Sequence, residues 1–151
     1  MTSMNLVQAV TSCFAKYFTL RGRAPRTEYW HWVLFLVVSS LLLGWLDRVT
    51  TIGLLQGLFV LGALAPTIAV TVRRLHDTNR SGWWVFLLLA PFVAGLGTLI
   101  VLMLGSTLLD VFFAATLLIP LCVLLHFLTR PGTSGDNKFG PGPLSEFRLT
   151  S

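Results

Sequence analysis

The sequence predicts an all-α, polytopic membrane protein with four transmembrane helices and an N-terminal amphipathic helix. Of the 151 residues, 54% are hydrophobic and only 11% are charged, whereas roughly a quarter of the residues in an ordinary soluble domain carry a charge. The charges are also segregated, and uncharged runs cover residues 29–46, 49–72, 81–109 and 111–129. Each run is close to or longer than the roughly 20 apolar residues that cross a bilayer as a helix. This composition argues against a water-soluble globule.

Residues 1–28 are predicted to form a basic cytoplasmic segment that contains the amphipathic helix. Its apolar residues recur at steps of three and four: Leu6, Val10, Cys13, Phe14 and Tyr17. This spacing gives one apolar stripe on a helix. Such a helix would lie in the inner membrane interface or pack on the cytoplasmic ends of the bundle. Because residues 1–27 contain no apolar core of a signal peptide, we expect the first span to act as the insertion signal.

The transmembrane domain is predicted over residues 29–128, followed by a Gly- and Pro-rich cytoplasmic tail over 129–151. The four spans are placed at about 29–46, 51–72, 83–104 and 111–128. Asp110 is placed near the start of the last helix, because a carboxylate there satisfies unpaired amides but would cost several kcal/mol at mid-bilayer. Turns rather than a helix are expected in the tail.

The distribution of basic residues predicts the orientation. With both termini in the cytoplasm, ten of the eleven Lys and Arg residues lie on the inner side and only Arg48 lies on the outer side. A three-span alternative divides the same residues seven to four. The positive-inside rule therefore favours the four-span, multi-pass topology with cytoplasmic N- and C-termini.

Three polar motifs interrupt the apolar runs: residues 18–30 read FTLRGRAPRTEYW, 73–84 read RRLHDTNRSGWW, and 131–143 read PGTSGDNKFGPGP. Together they resemble the YhaH/YhaI-type bacterial inner-membrane proteins, known as domain of unknown function 805. The resemblance extends from about residue 14 to residue 143. It implies a small polytopic protein of the bacterial inner (plasma) membrane with no established activity. Short members of that family have a briefer apolar stretch between the second and third motifs, so the resemblance does not imply a complete fourth helix in all of them.

In the four-span topology all three motifs lie on the cytoplasmic face, and we predict that they converge. The motif residues expected to have structural roles are Gly22, Glu28, Trp30, His76, Asp77, Gly82, Trp83, Gly132, Gly135, Asn137, Gly140 and Pro141. The arginines of the first two motifs would form a basic rim, which we define as Arg21, Arg23, Arg26, Arg73, Arg74 and Arg80. The rim has two interpretations. Its arginines pair with Glu28 or Asp77 and lock the helix ends together, or they bind anionic lipid headgroups or a protein partner.

The function classes follow from these features. Signatures such as GxSxG, HExxH, CxxC and a Walker loop are absent from the sequence, so we expect no catalytic residues, metal or cofactor. A lipid-modifying enzyme that uses His76 and Asp77 is one alternative, although metal-dependent hydrolysis needs further ligands. A subunit of an oligomeric transporter or channel is another. Nucleic acid is not an expected partner, because the membrane is a nearer anionic surface; a homo-oligomer or a protein partner remains open.

Overall fold

The computed structural model describes residues 4–50, 53–89 and 107–142, together with Gly97. The helices are α1 (Leu6–Ala15), α2 (Arg26–Thr50), α3 (Leu55–Asp77), a 3-10 helix (Gly82–Leu89) and α4 (Thr107–Thr129). Within these described ranges there is no β-strand, and an isolated bridge joins Asn137 to Gly140. The all-α class is confirmed for this part of the chain.

Helix α1 begins at a capping box. The Asn5 side chain accepts the Gln8 N–H at 2.8 Å, and the Gln8 side chain accepts the Asn5 N–H at 3.0 Å. This satisfies two amides that a helix N-terminus otherwise leaves unpaired. Ala9 and Cys13 are buried, and α1 packs on α2 and α3. The structure shows α1 packed on these two helices, and its placement relative to the membrane interface stays a prediction.

Helices α2 and α3 form an antiparallel pair, and α2 is longer than the predicted first span. It starts at Arg26 and continues through Asp47 to Thr50, so Asp47 does not end it. The Asp47 carboxylate instead caps α3, accepting the N–H groups of Leu55 at 3.1 Å and Gln56 at 2.9 Å. A carboxylate at a helix N-terminus compensates amides that have no intrahelical partner.

Within the described ranges, α2 and α3 are the helices long and apolar enough to cross a membrane, with 25 and 23 residues. At about 1.5 Å per residue, both exceed a hydrocarbon core of roughly 30 Å. Large apolar side chains remain exposed on their outer surfaces, including Leu34, Val38, Leu41, Leu58, Leu61 and Leu64. Contiguous exposed apolar surface is typical of a membrane-facing or binding surface.

The second half of the predicted transmembrane domain is described in part. The start of the predicted third span forms the 3-10 helix Gly82–Leu89 rather than an α-helix; at its N-terminal end the Trp84 N–H donates to the Ser81 carbonyl, the three-residue spacing of that helix type. The rest of that span, and the tail from residue 143, lie outside the described residues. Helix α4 starts at Thr107, so Asp110 falls in its first turn, as predicted.

The core lies between α1, α2, α3 and the C-terminal half of α4. Trp32 is fully buried there, and its indole N–H donates to the Thr67 hydroxyl at 3.1 Å. Leu124 and Leu128 of α4 complete this core. The core therefore joins the helices at the end of the molecule where the polar motifs lie.

Candidate functional site

The three motifs meet at one end of the helices, and we call this region the motif junction. The Ala24 N–H in the first motif donates to the Arg73 carbonyl in the second at 3.1 Å. The Asn137 side-chain amide in the third motif donates to the His76 carbonyl at 2.9 Å. The predicted convergence of the three motifs is therefore confirmed.

Asp77 lies at the centre of the junction between two arginines. Arg23 approaches one carboxylate oxygen with Nε at 3.0 Å and Nη2 at 2.9 Å. Arg74 donates from Nη1 to the other oxygen. All three side chains are at most 4% exposed. Each carboxylate oxygen therefore has a guanidinium partner away from water, the arrangement in which a charge-assisted hydrogen bond is strongest.

The same two arginines hold the C-terminal end of α4 and the polypeptide that follows it. Arg23 donates to the carbonyls of Thr133 at 2.6 Å and Gly135 at 2.5 Å. Arg74 donates to the carbonyls of Leu128 at 3.1 Å and of Arg130. Most of these acceptors are backbone carbonyls, and Arg23 also donates to the Thr133 hydroxyl at 3.1 Å. The segment is therefore held mainly through its backbone.

Gly132 shows how close that approach is. A Cβ atom at this position would lie 2.0 Å from an Asp77 carboxylate oxygen. The neighbouring Thr133 N–H donates to the Asp77 carbonyl at 2.8 Å. Position 132 therefore requires glycine, which accounts for one glycine of the third motif.

A second buried ion pair joins Glu28 of α2 to Arg73 of α3 at 2.9 Å. The same Glu28 oxygen accepts the Ser12 hydroxyl of α1 at 3.1 Å and lies 3.9 Å from the Cys13 sulfur. Burial raises the pKa of the Cys13 thiol to about 12, and the negative charge of Glu28 adds to this effect. Among the described residues, the Arg73 Nε and Nη2 atoms have no hydrogen-bond partner. This pair ties α1 to the bundle but leaves part of its hydrogen-bonding capacity unused.

His76 packs against the third motif. Its ring stacks on Phe139 with centroids 3.9 Å apart, and its Nδ1 lies 3.3 Å from the Gly22 carbonyl. A Cβ at Gly82 would lie 3.3 Å from its Nε2. With both Asp77 oxygens held by arginines, His76 and Asp77 do not form an acid-base pair in this arrangement. Among the described residues, no group of three or more His, Cys, Asp or Glu side chains is placed to hold a metal ion.

The remaining structural-motif residues occupy turns and helix ends. Gly22, Gly135 and Gly140 have φ angles of 89°, 77° and 130°, a backbone region that favours glycine. Pro141 follows the bridge at Gly140 and is exposed. Trp30 and Trp83 are exposed near the starts of α2 and the 3-10 helix, where an indole suits a membrane interface.

The basic rim divides into two groups. Arg23, Arg73 and Arg74 are buried and paired with Asp77 or Glu28, so the predicted pairing is confirmed. Arg21, Arg26 and Arg80 are exposed. Arg26 donates to the Thr129 carbonyl at 3.3 Å, and the Arg80 guanidinium lies 4.5 Å from the centre of the Phe127 ring. Binding of lipid or a protein partner by the rim stays a prediction.

Several residues of the junction were not singled out from the sequence. Ser12 contacts Glu28 through packing of α1, which no local pattern specifies. Cys13 belongs to the predicted apolar stripe, but its contact with Glu28 depends on the same packing. Thr133 and Phe139 lie within the third motif, whose spacing marked the segment but not these contacts. The exposed basic residues Lys138 and Arg130 lie at the same end of the molecule. From the sequence they contribute only to the excess of basic residues on the inner side of the membrane.

Comparison with known proteins identifies the family of the chain. The family model described as "Protein of unknown function (DUF805)" matches residues 17–141. The chain therefore belongs to this family, and its class is that of small inner-membrane proteins without an established activity. Among its relatives is the inner membrane protein YhaH of Escherichia coli (strain K12), which is 35% identical over 136 residues, covering 86% of this chain and 91% of YhaH.

Two further relatives come from the same strain. The inner membrane protein YhaI is 30% identical over 139 residues, covering 91% of this chain and 96% of YhaI. The uncharacterized protein YiiR is 33% identical over 124 residues, covering 82% of this chain and 84% of YiiR. No solved structure matches the chain. The resemblance inferred from the three motifs is thus confirmed.

Proposed function

We propose that this protein is a non-catalytic, four-span protein of the inner membrane with both termini in the cytoplasm, and that its motif junction binds anionic lipid headgroups. The supporting observation is the uneven charge of the junction surface. Its buried arginines are matched by Glu28 and Asp77, whereas its surface arginines and lysines have almost no acidic counterpart. We therefore assign to this surface the binding of an external anion.

The surface charges can be counted residue by residue. The exposed basic residues around the junction are Arg21, Arg26, Arg80, Arg130 and Lys138. Asp136 is the exposed acidic residue of that region within the described ranges. A basic side chain near an anionic leaflet contributes about 1 kcal/mol of attraction. Several such residues next to membrane-spanning helices favour lipid headgroups over more distant anions.

The buried ion pairs support this proposal indirectly. They fix the chain segments that carry the exposed residues: Arg23 and Asp77 fix the first and third motifs relative to each other. A surface whose backbone is already fixed loses little conformational entropy on binding. The proposed roles are therefore separate, with the buried arginines structural and the exposed residues in contact with lipid.

The test uses the full chain in nanodiscs that contain phosphatidylglycerol or only zwitterionic lipid, with retained lipid counted by native mass spectrometry. The triple variant Arg21→Gln/Arg80→Gln/Lys138→Gln removes three exposed charges and leaves the buried pairs intact. At about 1 kcal/mol per charge, the preference for phosphatidylglycerol should fall roughly hundredfold. Arg48→Gln, an exposed charge near the far end of α2, is the matched control and should change little.

Equal lipid preference in the wild type and the triple variant contradicts the proposal. If the triple variant keeps its lipid preference but loses a co-purified protein, the surface is a protein-binding surface instead. A reporter fused after Ser151 tests the topology separately, because a cytoplasmic signal is expected and an exported signal would exclude it.

A further inference from the structure

The polypeptide between α1 and α2 reaches deep along α3. The Tyr17 hydroxyl donates to the Gly62 carbonyl. Gly62 lies ten residues inside the cytoplasmic limit of the predicted second span, which corresponds to about 15 Å along the helix axis. In a hydrocarbon core of roughly 30 Å, this is close to the middle of the bilayer.

Contacts between aromatic rings of α1, α2 and α3 also place the C-terminal end of α1 away from the motif junction. Phe14 of α1 packs against Trp32 and Phe35, with ring centroids 5.3 Å and 6.2 Å apart. Phe35 in turn contacts Phe59 at 6.1 Å. These partners lie further along α2 and α3, away from the junction, than the Glu28–Arg73 pair. The C-terminal end of α1 therefore points into the bundle rather than along its cytoplasmic end.

The residues that follow α1 combine exposed apolar and basic side chains. Phe18 is 81% exposed, more than any other large apolar side chain in the described residues, and Leu20 is 49% exposed. Lys16 and Arg21 flank them, and residues 4–27 contain no Asp or Glu. Long basic side chains at this position can keep their charge at the headgroups while their methylenes lie among acyl chains.

We propose that residues 16–21 form a re-entrant loop that inserts into the inner leaflet and binds a phospholipid there. In this arrangement Phe18 and Leu20 pack among the acyl chains, and Lys16 and Arg21 bind the phosphate. The Tyr17 hydrogen bond to Gly62 sets the depth of the loop. The inference rests on the proposed spanning topology and deepens it, because it assigns a particular lipid-binding element. A helix lying flat in the interface would not bring Tyr17 to Gly62.

Site-directed spin labelling tests the depth of the loop. The full chain, with Cys13→Ala/Cys122→Ala as background, receives a single nitroxide at Phe18→Cys and is reconstituted in vesicles of phosphatidylethanolamine and phosphatidylglycerol. Collision with oxygen, which concentrates in lipid, is compared with collision with a water-soluble nickel chelate. Leu41→Cys on the exposed surface of α2 is the lipid control, and Ser134→Cys in the exposed tail is the water control.

The expected result is that the Phe18 label resembles the Leu41 label, with nickel collision several-fold below that at Ser134. A Phe18 label as accessible to nickel as Ser134, while Leu41 is protected, overturns the loop and leaves the spanning topology intact. A Leu41 label open to nickel overturns both. Tyr17→Phe removes only the hydroxyl and should raise nickel collision at Phe18 towards the Ser134 value; unchanged depth would exclude Tyr17 as the anchor.

Discussion

The two buried carboxylates of the motif junction are bonded very differently. Asp77 has an arginine on each oxygen. Arg23 also donates to backbone carbonyls of the third motif, and Arg74 donates to the carbonyls of Leu128 and Arg130 just before it. Glu28 receives one arginine nitrogen on an oxygen that it shares with Ser12. Two nitrogens of that arginine, Arg73, have no partner among the described residues. The tail is therefore held by a saturated network, and α1 by an incomplete one.

The molecule should open first where the network is incomplete. Buried polar groups that are fully paired resist separation, because breaking one bond leaves several unpaired groups away from water. In the Glu28–Arg73 pair two arginine nitrogens already lack partners within the described ranges, so separating α1 from the pair leaves fewer additional unpaired groups. We therefore expect α1 to separate from the bundle more readily than the third motif does. Local opening of this kind takes place below the free energy of global unfolding.

The largest effect is expected from Asp77→Asn. The change keeps the size of the side chain but leaves Arg23 and Arg74 as buried charges without a counterion. Removing one partner of a buried ion pair costs about 3–5 kcal/mol. The measurement is the free energy of unfolding in detergent micelles, followed by circular dichroism during denaturant titration.

The matched control for this variant is Asp136→Asn. Asp136 lies in the same polypeptide segment but is exposed, and its side chain accepts the Gly142 N–H at 3.2 Å. Loss of one exposed hydrogen bond should cost less than about 1 kcal/mol. Equal destabilisation by the two variants would show that the Asp77 network does not hold the junction together.

A smaller effect is expected when both members of the other pair are replaced. Glu28→Leu and Arg73→Leu should each destabilise the protein, because each leaves a buried charge alone. The double variant should lose less than the sum, since replacing a whole buried ion pair with apolar residues is often nearly neutral. The difference between the sum and the double variant should be positive, in the range of about 0.5–3 kcal/mol for contacting residues.

The same double-variant cycle can be applied to Asp77 and Arg23. In that cycle the double variant still leaves Arg74 without its carboxylate. The difference between the sum of the single effects and the effect of the double variant should therefore be smaller. Equal differences in the two cycles would remove the distinction between a saturated and an incomplete network.

Much of the architecture could be predicted from the sequence because it depends on composition and charge alone. The long uncharged runs mark α2 and α3, and the positions of the three motifs predict their convergence once a topology is assumed. Helix limits were less accurate. The uncharged run ends before Asp47 and so predicts a first span at residues 29–46, but the helix continues through Asp47, whose carboxylate caps the following helix. A charged residue near a helix end can end that helix or cap the next one, and only the tertiary contact decides.

The site was predicted in outline, but not the division of its arginines. Arg21 and Arg23 are two residues apart in the same motif, yet Arg21 is exposed and Arg23 is 4% exposed and paired. Nothing in their spacing distinguishes them, because the loop that carries them has no periodicity. The contact of Ser12 with Glu28 was likewise beyond the sequence. It depends on how α1 docks, and an amphipathic stripe specifies the buried face of a helix but not its partner.

The smallest effect, on labelling rather than on stability, is expected at Cys13, which reports whether α1 is docked. Burial and the Glu28 charge raise the pKa of this thiol from 9.0 to about 12. Because the thiolate is the reactive form, at pH 9 Cys13 should be alkylated roughly a thousandfold more slowly than an ordinary exposed thiol. In the Cys122→Ala background at pH 9, the rate with N-ethylmaleimide should be low for the folded protein and high for SDS-unfolded protein. Ser12→Ala removes the hydrogen bond from the hydroxyl to Glu28, and a loss of about 1 kcal/mol should raise the population of the open state and the labelling rate about fivefold.

The control is Ser134→Ala, which changes an exposed serine of the tail and should leave the labelling rate unchanged. If Cys13 labels as fast in the folded protein as in SDS, α1 is not docked on the Glu28–Arg73 pair. The statement that the Glu28 network holds α1 would then be wrong.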